Sequence, residues 1–160
     1  GGATDQPWLG PAVVLGALTV HMAVAPRPVR DLRTSLWISL LGVSADLIQV
    51  ACGVLVFPGP GPRLGPLPLW ILALWPLFGV QFHTTLAWLR GRLPLAALLG
   101  ALGGPPGYLA AERLGALELI QPPALALAAL AVAWSVILPV GVVVARRNER
   151  VRSTDDRPLV

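Results

Sequence analysis

Apolar residues fall into five long runs separated by short polar connectors: Trp8–Ala25, Thr34–Phe57, Leu69–Leu89, Leu93–Ala111 and Ala124–Ala145. Of these 104 residues, Asp46 is the only one with a charged side chain. Each run has 18 to 24 residues, and about 20 residues at a rise of ~1.5 Å cross a ~30 Å hydrocarbon core. The pattern therefore predicts an all-α, polytopic membrane bundle of five transmembrane helices. The spans cover about 8–25, 34–57, 69–89, 93–114 and 124–145 of a single membrane domain, 1–145, followed by a basic tail, 146–160.

Inside the second run, small and polar residues recur at helical spacing: Ser35, Ser39, Gly42, Asp46, Gln49 and Gly53. An aliphatic stripe, Leu36, Leu40, Val43, Leu47, Val50 and Val54, follows one position later. A membrane helix patterned this way turns its polar stripe to other helices and its aliphatic stripe to lipid. Asp46 is thus expected in the bundle interior, near mid-span, where a charge costs at least ~2.5–3.5 kcal/mol unless it is neutral, paired or beside water.

The fourth run carries Gly103-Gly104-Pro105-Pro106-Gly107 close to mid-membrane. Proline removes a backbone donor and strikes the preceding turn. A discontinuous helix is expected here, its second half pointing a positive dipole end into a protein-lined cavity. The connector Pro58–Pro68 holds five prolines in eleven residues and reads as a stiff external spacer, neither helix nor sheet interior. Trp8, Trp37, Trp70 and Trp88 lie near predicted interfaces and read as anchors. Trp75 and Trp134 lie deeper and are expected to pack between helices or against a lipid.

Composition adds little to the class but fixes the topology. Only 20 of 160 residues are charged, about half the share of a soluble domain. The 34 Gly and Pro follow no collagen period. All twelve basic residues are Arg, and most flank the apolar runs, which reads as a topology signal and excludes a nucleic-acid patch. Ten of them lie in the first and third connectors and the tail, against Arg63 and Arg113 in the other two connectors. By the positive-inside rule the chain starts outside and ends in the cytoplasm. Carrying the start across implies a further apolar span ahead of Gly1. The single cysteine, Cys52, reads as a small buried hydrophobe.

Chemistry is sparse. Asp46, Gln81, His83 and His21 could converge on one polar pocket, with Asp46 and His83 as a carboxylate–imidazole pair for proton transfer. Gln49, Gln81, Thr85, Tyr108, Glu112 and Arg113 are the other pocket candidates, Glu112 and Arg113 as an ion pair over its outer end or as residues snorkelling at the interface. No cofactor is expected, and a metal, haem or other pigment would need His21 and His83 to face one another. No nucleophile elbow, H-x-x-x-H or Cys–His arrangement is present.

Two segments carry a resemblance: Phe82-His83-Thr84-Thr85-Leu86-Ala87-Trp88-Leu89, and Gly103-Gly104-Pro105-Pro106-Gly107-Tyr108 followed by Arg113-Leu114-Gly115-Ala116. They resemble a family of small proteobacterial inner-membrane proteins known only as a domain of unknown function. Its elements read His-Ser/Thr-Leu-x-Trp-Leu and Gly-Pro-x-x-Tyr…Arg-Leu-Gly-Ala. His83, Trp88, Pro105, Tyr108 and Arg113 match them, while Phe82 stands where the family often has Asn. The resemblance implies a multi-pass inner-membrane protein that begins one apolar segment earlier, and it implies no activity. Two readings follow: a membrane protein with a pocket for a lipid or other apolar ligand, enzymatic or not, and alternatively a non-catalytic accessory or scaffold subunit packed on a larger membrane complex. Membrane lipid and other integral membrane proteins are the expected partners.

Overall fold

A computed structural model describes Gln6 and residues 8–150. Five helices run in alternating directions: α1 (Leu9–Val24), α2 (Pro28–Ala51), α3 (Leu69–Val80), α4 (Leu93–Arg113) and α5 (Pro123–Arg150). α2, α4 and α5 are long and apolar enough to cross a membrane, whereas α1 and the segment Leu69–His83 are shorter apolar helices.

α2 is built inside out relative to a helix in water. Its polar residues Asp31, Thr34, Ser35, Asp46 and Gln49 are all at most 6% exposed, while Leu36, Trp37, Leu40 and Ile48 are 56–62% exposed. Water would penalise both faces of that arrangement, and hydrocarbon penalises neither when the buried polar groups have partners. The expected polar stripe of α2 is present and continues beyond its expected start to Asp31, whereas the expected aliphatic stripe is exposed only at Leu36, Leu40 and Leu47: Val43 and Val50 pack on the core, and Val54 is buried beyond the helix end. The helix itself begins earlier, with Pro28 in its first turn, where the missing N–H costs nothing. It stops at Ala51; Gly53 follows with φ +65°, and the chain enters a strand.

The fourth run departs from expectation. α4 is one continuous helix from Leu93 to Arg113, with Pro105 and Pro106 inside it, in place of two half-helices. Gly104 gives the Pro105 ring no Cβ to strike. Packing on α5 then holds the helix through the two donor gaps: Gly100 lies against the Trp134 backbone and Gly104 against the Trp134 indole, so a Cβ at either would overlap its neighbour. The third run departs in the opposite sense. α3 ends at Val80, and the rest of the expected span is two 3-10 turns, Gln81–His83 and Ala87–Leu89.

At one end of the bundle two small antiparallel ladders close the connectors. Strand β1 (Leu55–Val56) pairs with β4 (Glu118–Leu119), and β2 (Arg63–Leu64) pairs with β3 (Leu67–Pro68). The proline-rich connector is thus partly a hairpin, turning at Gly65 with φ +60°. Prolines leave carbonyls without local donors, and the Arg63 guanidinium supplies them: it donates to the carbonyls of Phe57, Gly59 (3.1 Å) and Pro66 (2.8 Å). The opposite end gathers the α1–α2 and α3–α4 connectors and the end of α5, and with them Arg27, Arg30, Arg33, Arg90, Arg92, Arg146 and Arg147. Trp8, Trp37 and Trp88 are exposed, Trp70 is half-buried, and Trp75 is buried among the helices. Cys52, expected inside, is exposed because α2 ends before it.

Candidate functional site

α3 packs chiefly on α2 and α1, and α4 chiefly on α5. The space between α3 and α4 is a lateral groove of about 610 Å³, floored by Trp134 and Leu138 of α5. Gly100, Gly103, Gly104 and Gly107 place one side of α4 along it, with Tyr108 and Ala111 above them. Gly103 and Gly107 differ from the packed glycines, since a Cβ on either would meet nothing within 4 Å. The facing wall is α3, with Trp75 and Phe78. Trp75 stacks on Trp134 with ring centroids 5.5 Å apart, and Phe78 meets Trp134 edge-on at 5.3 Å. Contacts of this kind fix ring orientation as well as adding burial.

Asp46 holds this aromatic wall in place. Tyr108 donates its hydroxyl to Asp46 Oδ1 at 2.6 Å, and the Trp75 indole N–H donates to Oδ2 at 2.7 Å. The sequence makes room for this locally: Gly42, one turn before Asp46, lies under the Trp75 ring, where a Cβ would overlap the indole. One carboxyl group on α2 therefore ties α3 to α4 across the back of the groove. Asp46 does not itself line the groove; its two donors do.

The single polar pocket expected from Asp46, Gln81, His83 and His21 is instead two separate groups and a groove residue. His83 closes the 3-10 turn that follows α3 at the Arg-rich end, away from Trp75, and its side chain is fully buried in a different network. Asn148 donates to Thr34 Oγ1 at 2.8 Å, and Thr34 can in turn donate to His83 Nε2 at 2.8 Å. On its other side, His83 Nδ1 lies 3.4 Å from Arg90 Nη2, a donor only, and 3.8 Å from Glu149 Oε1. Arg90 reaches the same Glu149 oxygen at 2.8 Å, and Arg30 does so at 3.5 Å. Arg30 also pairs with Asp31 at 2.7 Å, and His21 Nε2 meets Asp31 Oδ2 at 3.1 Å. Two Arg and two carboxylates thus balance one another; Asp31 is the buried member, and Arg30, Arg90 and Glu149 are partly exposed. His21 Nε2 is taken up by Asp31 and His83 Nε2 by Thr34, and among the described residues no group of three or more His, Cys, Asp or Glu is placed to hold a metal.

The remaining candidates separate too. Gln81 and Tyr108 line the groove. Thr85 lies outside its lining and donates to Gln81 Oε1. Gln49 is buried on α2 one turn beyond Asp46. Glu112 accepts the backbone N–H of Leu119 at 3.1 Å, which braces β4, and Arg113 is exposed; among the described residues no ion pair joins the two. Sequence reasoning placed Trp75 and Trp134 between helices or against a lipid but missed their stacking on each other, the Trp75 bond to Asp46 and the network of Arg30, Asp31, Thr34, Arg90, Asn148 and Glu149. A signal for part of it existed, since Asp31 lies four residues before Ser35 on the α2 polar stripe.

Fold and site together define a small helical protein with membrane-span-like helices, polar groups turned inward and an apolar groove opening sideways. The family model described as "Protein of unknown function (DUF2878)" matches residues 1–140, and the chain belongs to that family. No curated protein and no solved structure matches it.

Proposed function

We propose that this is a five-span protein of the bacterial inner membrane, its Arg-rich end in the cytoplasm, that binds a membrane lipid or other apolar ligand in the groove between α3 and α4. The observation that carries the reading is the groove: about 610 Å³, within the roughly 300–1,000 Å³ of small-molecule sites, walled by aromatic rings and an open glycine face. A groove that opens toward the bilayer admits a lipid without passage through water. The two shorter helices, α1 and α3, cross by local thinning of the bilayer, at a cost of fractions of a kcal/mol per Å of mismatch.

One observation favours a second reading, a subunit that packs on a larger membrane protein. Gly103 and Gly107 are four residues apart with open space above them, the spacing at which two membrane helices approach closely. One preparation tests both. The protein is purified gently and analysed by native mass spectrometry, alongside Gly107→Leu, whose Cβ enters open groove with nothing within 4 Å. Retained lipid in the wild type that is lost in Gly107→Leu is the expected result. A lipid-free protein that co-purifies with a stoichiometric partner, released by Gly107→Leu, would replace the ligand reading with the subunit reading.

A further inference from the structure

The polar inventory of the groove is lopsided, and the asymmetry bears on what it takes. None of the described residues that line it is charged. Two of its donors are spent on Asp46, the Tyr108 hydroxyl and the Trp75 indole N–H. Toward the Arg-rich end stands Gln81, the only amide in the lining, at the point where α3 passes into its 3-10 turn. Its Oε1 accepts from the Thr85 hydroxyl and, at 3.3 Å, from Thr84. With the oxygen so engaged, the amide NH2 is the group left to donate. The nearest cation in sequence, Arg90 after the lining residue Leu89, is not part of the lining: its terminal nitrogens go to Glu149 at 2.8 Å and to the Phe82 carbonyl and His83 Nδ1 at 3.4 Å, while its buried Nε has no partner.

We infer that the groove takes an uncharged amphiphile whose head oxygen, a hydroxyl or carbonyl, accepts from the Gln81 amide while a hydrocarbon chain runs past Gly103 and Gly107 toward Tyr108. This rests on the ligand-binding reading given above and adds the class and polarity of the ligand. Absence of charge excludes an anionic head on simple grounds: a phosphate in a groove without a free cation loses its hydration and gains no counterion. A single acceptor oxygen loses one hydrogen bond to water and regains one from Gln81. The Trp70 indole at the other end of the groove is the alternative donor, and a head bound there would reverse the ligand.

The test uses the full chain in phosphatidylcholine nanodiscs, with oleyl alcohol, oleyl phosphate and the chain-matched hydrocarbon as probes and native mass spectrometry as readout. The wild type is expected to retain the alcohol best. Gln81→Leu should lower retention of the alcohol roughly five- to tenfold, the value of one hydrogen bond, leave the hydrocarbon unchanged and so erase the preference. Thr85→Val should give a smaller loss, because it frees the amide to rotate; it and the wild-type probe series carry the test should Gln81→Leu not fold. Equal or better retention of oleyl phosphate overturns the inference, as does an alcohol preference that survives Gln81→Leu and falls in Trp70→Phe. If instead Gly107→Leu retains every probe as the wild type does, the groove reading itself fails, and that outcome is distinct from both.

Discussion

Asp46 is the one side chain that membrane location alone does not explain, and its two aromatic donors supply the explanation. An unpaired charge at mid-span costs at least ~2.5–3.5 kcal/mol, and bonds from Tyr108 at 2.6 Å and Trp75 at 2.7 Å offset that cost. Asp46→Asn keeps the shape but offers one oxygen to two donors, so one donor is left buried without an acceptor. The expected loss is ~1–3 kcal/mol, read as a lower midpoint of thermal unfolding in detergent with membrane insertion intact, together with weaker retention of the groove ligand. An unchanged midpoint and unchanged retention would reduce Asp46 to a packing residue. Asp46 was legible in sequence because a carboxyl group in an apolar run has no bland explanation. Its pairing with its two donors was not: Tyr108 read as a pocket residue and Trp75 as a packing residue, but nothing along the chain joins either to Asp46.

Helices in this bundle approach one another through glycine, but the glycines divide into two kinds that sequence cannot separate. Gly79 sits against the Ser35 backbone, where a Cβ would collide with main-chain atoms that cannot rotate aside. Gly103 faces open groove. Gly79→Leu is therefore expected to separate α2 from α3 and give aggregated protein, whereas Gly103→Leu should elute as a single species by size exclusion, with wild-type helicity. Equal behaviour of the two variants would contradict the placement of the groove. The same dependence on neighbours explains α4. Proline at Pro105 and Pro106 argues locally for a break, and the packing of Gly100 and Gly104 on Trp134 overrides it. α3 fails the other way: its apolar run continues to Leu89, yet the helix ends at Val80, and the chain turns through Gln81–His83 toward the charged network.

Across the bundle, the Arg residues of alternate connectors collect at one end, with Arg63 and Arg113 at the other. The proposed orientation puts the Arg-rich end in the cytoplasm. Cys52, the only cysteine of the chain, is exposed at the far end of α2. A membrane-impermeant maleimide should therefore label it in cells whose outer membrane has been permeabilised, with the inner membrane sealed. Labelling that appears only after lysis would invert the topology.

Hydrophobic runs, their polar stripes and the partition of Arg were readable along the chain because each depends on composition and periodicity within one segment. Solvent outside the bundle sets them, and lipid selects the same pattern wherever the segments end up. The pairing of Asp46 with Trp75 and Tyr108, the separation of His83 from it, the continuity of α4 and the groove itself depend on distances between segments far apart in sequence. Those distances follow from which glycines admit a neighbouring backbone or ring, and that is decided only when the helices pack.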